Sequence, residues 1–149
     1  LLDVPEDVAE GFEFFKWFPS EEPEQLRRTI YTFQRRSVIN PMLEVFDAAN
    51  SGSSCSRRSV TTVAPQALTL LNAELPNSEA RHFAARVMEE AGTDPDKQIA
   101  RAFWLALGRD PSRNEKLKCR ELLNEYEPKD ALAHLGLVLF NLNEFLYLE

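Results

Sequence analysis

The stretch DPDKQIARAFWLALGRDPSRNEK, residues 94–116, decides the fold class. Asp94 stands directly before Pro95. An Asp can accept from the free N–H groups of a helix start, and proline suits the first helical position because its missing N–H has no partner there. Residues 99–107 are apolar nearly all round, which predicts a helix buried on most sides. Gly108 ends it, since glycine takes the left-handed cap without a side-chain penalty. Ser112 and Glu115 then have capping-box spacing, so a second helix begins at once. Start, stop and restart within 23 residues describe helices joined by short turns.

The same pattern extends outward. From Asn77 the chain reads as helix, with Phe83, Val87 and Met88 at helical spacing and Gly92 as the stop. After Ser112, Cys119, Leu122, Leu123 and Tyr126 share one face. A last helix starts near Lys129 and carries Leu132, Leu135, Val138 and Leu139, with Asn141 and Asn143 marking its end. Pro95, Pro111 and Pro128 recur 16 and 17 residues apart, near three helix starts. That spacing is similar to helical-hairpin repeats of about 34 residues, but there are too few units and no signature residues. The expected class is mainly α: a small helical bundle.

The N-terminal half is less regular. Residues 1–25 form an acidic lead-in broken by Pro5, Pro19 and Pro23, with a dense aromatic run over residues 11–18. The run reads as core contact or a plug against another part of the protein, with an exposed aromatic platform as the alternative. Residues 26–76 form an arginine-rich loop region, and residues 77–149 the bundle. Within the loop region, β-branched and aromatic residues favour a short strand near residues 29–35, with a helix as the competing reading. Pro41 to Phe46 reads as a short helix. Residues 50–63 form a long ordered loop, and a helix begins near Pro65 with Ala67, Leu68, Leu70 and Leu71. The whole is expected to be one domain or the C-terminal part of a longer one. The missing initiator Met points to a fragment or a processed chain.

Charge singles out the loop region. The net charge of −7 argues against general nucleic-acid binding, which relies on clustered Lys and Arg. Residues 26–63 nonetheless carry Arg27, Arg28, Arg35, Arg36, Arg57 and Arg58 against Glu44 and Asp47, a net of +4. No apolar run approaches the ~20 residues that span a bilayer, so no membrane span is expected.

The complete chemical motifs are missing. There is no haem-attachment motif, no His/Cys cluster of metal-site spacing, no phosphate-cradling glycine loop and no nucleophile elbow. No metal or cofactor is expected within the chain. His82 and His134 are isolated helical histidines. Cys55 and Cys119 are two thiols 64 positions apart and do not make a disulfide framework. Cys55 reads equally as a small buried group or a reactive one.

One constellation remains. Asp47, Cys55, Arg57, Arg58 and several hydroxyls fall within 20 positions of a loop. Paired guanidinium forks match carboxylate, sulfate or phosphate oxygens. The six arginines are therefore anion-binding candidates. The plainer expectation is internal ion pairing, with arginines such as Arg57 holding Asp47 and the acidic lead-in. Catalysis is the third reading, with Asp47 as a weak acid or base candidate and Arg57 and Arg58 as charge stabilisers. Thr62 and Gln66 read as caps of the helix that follows.

Several segments resemble one known family. They are Arg27-Arg28-Thr29-Ile30-Tyr31; Pro41-x-Leu43-Glu44-x-Phe46-Asp47; Cys55-x-Arg57-Arg58-x-x-Thr61-Thr62-x-x-Pro65-Gln66-Ala67-Leu68-x-Leu70-Leu71-Asn72; Ala106-Leu107-Gly108-Arg109-x-Pro111-Ser112-x-x-Glu115; and Phe140-Asn141-Leu142-Asn143-Glu144-Phe145-Leu146-Tyr147. Over residues 17–149 they are similar to the C-terminal domain of unknown function of large planctomycete and verrucomicrobial envelope proteins, often found after cytochrome c-like modules. Ser56 stands where the family pattern has proline. The resemblance implies a periplasmic or secreted, multidomain setting, with haem only in upstream modules and polysaccharide breakdown nearby. In such an oxidising compartment a Cys55–Cys119 bridge becomes an expectation.

Three functions follow as expectations. The first is a non-catalytic structural or binding module docking on upstream domains of the same polypeptide. The second is an anion or sulfated-glycan binder using the arginines. The third is a portion of an envelope enzyme whose other residues lie upstream.

Overall fold

The computed structural model describes residues 20–25, 27–31, 40–48 and 64–147. The chain divides into two units, Leu1–Val63 and Ala64–Glu149. The aromatic run, the 50–63 loop and Thr62 lie outside the described residues.

In the first unit, α1 spans Glu22–Gln25 and a 3-10 turn spans Thr29–Tyr31. The turn replaces the expected start of a strand. The Tyr31 N–H donates to the Arg28 carbonyl at 2.8 Å, a local bond that a strand would have to find across a ladder. No strand occurs among the described residues. Helix α2, Pro41–Val45, matches the expected short helix. The Asn40 side chain accepts from the Met42 and Leu43 N–H groups at 3.0 and 3.4 Å, and Pro41 fills the first helical position.

The second unit is a small all-helical bundle. Its long elements are α3 (Ala64–Asn72), α4 (Glu74–Ala91), α5 (Pro95–Leu107), α6 (Arg113–Glu125) and α7 (Pro128–Phe140), followed by the single turn α8 (Asn143–Leu146). The expected stops and starts lie where the residues place them. Asp94 caps α5 by accepting from the Asp96 N–H at 2.9 Å. Gly108 takes the left-handed conformation at φ 69°. Ser112 and Glu115 form both halves of the capping box. Helix α4 begins three residues before Asn77. Asn77 instead staples the α3–α4 corner, donating from its amide to the carbonyls of Leu71 and Ala73 at 3.1 and 2.9 Å.

The core lies between α4, α5 and α7. Ala84, Val87, Ile99, Ala102, Phe103, Leu132, Leu135 and Leu139 form one buried cluster. Cys119, Leu122 and Leu123 of α6 pack partly against it. Helices α4 and α7 approach closely through small residues. A Cβ built on Gly136 would sit 3.1 Å from the Phe83 ring and 3.5 Å from the Ala80 Cβ. Glycine in mid-helix costs about 1 kcal/mol relative to alanine, so this position exchanges local helix stability for proximity.

Three expectations need correction. Trp104 is exposed, so α5 is not buried on most sides; its inner face is Ile99, Ala102 and Phe103. Val138 is exposed although it sits among the apolar residues of α7, on the flank of the face that Leu132, Leu135 and Leu139 bury. Asn141 caps α7 as expected, but Asn143 opens α8. Among the described residues, no helix is long and apolar enough to cross a membrane.

Candidate functional site

Local geometry explains Asp47 before any chemistry is needed. It follows α2 in the left-handed conformation at φ 54°, unlike any other non-glycine residue described. Its N–H donates to the Glu44 carbonyl at 3.1 Å, and the Ala48 N–H donates to the Leu43 carbonyl at 2.9 Å. These two bonds define a Schellman stop, whose left-handed position glycine usually takes and Asp or Asn tolerates. The weak acid–base candidate is thus the residue that terminates a helix.

The arginine candidates divide. Arg27 is exposed and pairs with Glu24 one turn back at 2.7 Å. Arg28 is exposed, and its carbonyl accepts from Tyr31. Arg35, Arg36, Arg57, Arg58 and Cys55 lie outside the described residues. Gln66 is the third residue of α3 rather than a cap before it. It is buried, and the Tyr147 hydroxyl donates to its side-chain oxygen across 3.4 Å. Cys119 carries a free, half-buried thiol on α6. Burial, and secondly the Glu115 carboxylate, push its pKa up, which keeps it protonated and poorly nucleophilic.

The strongest charge constellation of the second unit centres on Arg109. Its Nη1 and Nη2 donate to the two Glu115 oxygens at 3.1 and 2.8 Å. Its Nε and Nη2 donate to the two Glu144 oxygens at 2.7 and 2.8 Å. The guanidinium also lies 5.5 Å from the centre of the Phe103 ring. Glu115 spends one oxygen on the Ser112 N–H at 2.6 Å, so the capping box and the ion cluster are one network. The Arg109 bonds, then Ser112, hold the Glu115 carboxyl down to about 2. Arg109 likewise keeps Glu144 below the ordinary carboxylate range. Charge-assisted forks of this kind fix geometry as well as adding energy.

Residue-level reading of the sequence missed this cluster. The capping box pointed to Glu115, but Glu144 lies 35 positions from Arg109 and no local signal joins them. Two similar pairings link other helices. Arg120 of α6 binds Asp96 of α5, with Nε to Oδ1 at 2.6 Å. Glu90 of α4 takes Arg86 of its own helix at 2.8 Å and Arg101 of α5. His82 and His134 are both exposed; His134 meets the Tyr126 ring edge-on at 4.6 Å. Among the described residues, no three His, Cys, Asp or Glu side chains gather as a metal site.

The family model described as a protein of unknown function (DUF1553) matches residues 5–123. The chain belongs to that family. The DUF1553 match takes in the arginine segment, the Gly108-Arg109 turn and the Glu115 cap, and it stops before α7 and the Glu144 segment. No curated protein and no solved structure matches the chain.

Proposed function

We propose that the chain is a non-catalytic structural or binding module of a large multidomain envelope protein of the planctomycete and verrucomicrobial type. It works in the periplasm or outside the cell and docks on upstream cytochrome c-like modules of its own polypeptide. The observation that carries this reading is three exposed leucines on the two helices that meet at the α3–α4 corner. Leu68, Leu71 and Leu75 are 58%, 44% and 46% exposed. On α3, Leu68 and Leu71 lie on the face opposite the buried Gln66 and Leu70. Exposed apolar side chains that gather into one patch mark a contact surface. The pairing of Arg109, Arg120 and Glu90 between helices also supports a scaffold, because those charges serve closure of the bundle.

The test uses the upstream portion of the polypeptide, produced separately, titrated calorimetrically with this chain. Binding is expected, and a Leu68→Ser, Leu71→Ser, Leu75→Ser variant with an unchanged helical circular dichroism spectrum is expected to bind at least about tenfold more weakly. No binding by the wild-type chain, or equal binding by the triple variant, overturns the reading. A parallel titration with a sulfated glycan distinguishes the anion-binding alternative.

A further inference from the structure

We propose that residues 141–147 form a latch that holds α3 closed on the bundle. Three contacts make the case. Glu144 is gripped through both oxygens by Arg109 from the α5–α6 turn. The Phe145 ring lies 5.1 Å from Phe140, whose other neighbour is Phe83 of α4 at 5.5 Å. Tyr147 reaches Gln66 of α3, 81 positions back. The segment therefore touches the α5–α6 turn, the end of α7 and α3 at once.

Its own structure is marginal. Helix α8 is a single four-residue turn, and an isolated helix of that length does not persist in water. Its contacts include the exposed Glu144 ion pair, the ring contact of Phe145, itself 43% exposed, the partly buried Leu142 against the core and the Tyr147–Gln66 contact. Segments held by few buried apolar contacts open far below the cost of global unfolding. The core cluster of α4, α5 and α7 contains no residue of α3 or α8, and of residues 141–147 it meets the partly buried Leu142, so α3 and α8 can loosen while the cluster stays intact. Arg109 makes the opening local. When Glu144 leaves, the guanidinium keeps both oxygens of Glu115 and the start of α6 stays capped. The latch stands apart from the docking proposal, since it concerns the closure of α3 whatever partner α3 meets.

Hydrogen exchange read by mass spectrometry on the whole chain tests it. Glu144→Gln removes the charge and keeps the shape. It is expected to speed exchange of residues 141–147 and of α3 by about two- to fivefold, the span of an exposed ion pair, with α5 and α6 unchanged. Salt at 1 M should speed exchange of residues 141–147 and α3 in the wild type and add little there in the variant, because it screens the pair. The latch is overturned if α3 exchange stays at the wild-type rate in Glu144→Gln. It is equally overturned if all helices speed up together in Glu144→Gln, or if salt acts alike on residues 141–147 and α3 of both proteins.

Discussion

Truncating two residues three positions apart on α7 should give opposite outcomes. Leu135 is fully buried within the cluster of Val87, Ile99, Phe103 and their neighbours, whereas Val138 is 48% exposed. Leu135→Ala removes three carbon groups, about 2.4 kcal/mol of transfer free energy at about 0.8 kcal/mol each. The cavity left between α4, α5 and α7 adds to that, giving about 3–4 kcal/mol within the usual range for buried leucines. Val138→Ala removes two carbons already half in water, at most about 0.8 kcal/mol. Alanine's better helix propensity returns roughly 0.5 kcal/mol, so the net change is close to zero.

Urea unfolding followed by circular dichroism measures both. With a slope of about 1.5 kcal/mol per molar, Leu135→Ala should lower the midpoint by about 2 M and Val138→Ala by less than about 0.3 M. Equal shifts, or a larger shift for Val138→Ala, would mean that α7 is rotated from the face described. The reasoning about the core would then fail with it.

Other perturbations test other parts of the fold. Gly136→Leu should destabilise by about 1–3 kcal/mol in the same assay, since its side chain must displace the Phe83 ring and press on the fully buried Ala80. Asp47→Gly should leave stability within about 1 kcal/mol and Asp47→Val should lower it more, because only the latter strains the left-handed backbone; matched losses would refute the helix-stop role. Acid should weaken the Arg109 cluster in a defined window. The pKa values of Glu115 and Glu144 are depressed by Arg109, so their stabilisation is complete above the ordinary glutamate range. It is lost as pH falls through that range, down to about 2 for Glu115, and carboxyl chemical shifts should titrate there. Cys119 should react with a thiol reagent at pH 7.5 several times more slowly than free cysteine, since burial raises its pKa and limits access; an equal rate would contradict its packing against the core.

What could be read from the sequence was what a few neighbouring residues decide. Asp94-Pro95, Gly108 and Ser112 with Glu115 each fix a helix end within four positions, and each end is where those residues place it. Features set by the neighbours' positions were not readable. Val138 and Trp104 match their helices' apolar patterns, and only the packing partners show that they face outward. Residues 29–31 have strand-like side chains, but the turn closes because a local donor–acceptor pair is available where no ladder partner is described. The Arg109–Glu144 pair spans 35 positions and has no periodicity to announce it.

The residues that carried the family resemblance can now be weighed by what they do. Pro41 and Asp47 begin and end α2. Gly108 turns the chain between α5 and α6, Ser112 and Glu115 start α6, and Arg109 joins that start to Glu144. Gln66 and Tyr147 meet across the bundle. These are folding roles in both units, and polar side chains dominate them because helix ends leave backbone donors and acceptors that need partners. A motif rich in Asp, Arg, Glu and Gln therefore does not by itself point to catalysis. For Asp47 the distinction is measurable. A catalytic carboxylate is lost in Asp47→Asn, whereas a helix stop survives it, since asparagine tolerates the left-handed conformation nearly as well. Unchanged α2 protection from hydrogen exchange in Asp47→Asn would show that the helix stop does not need the carboxylate charge, and lost protection would refute that role.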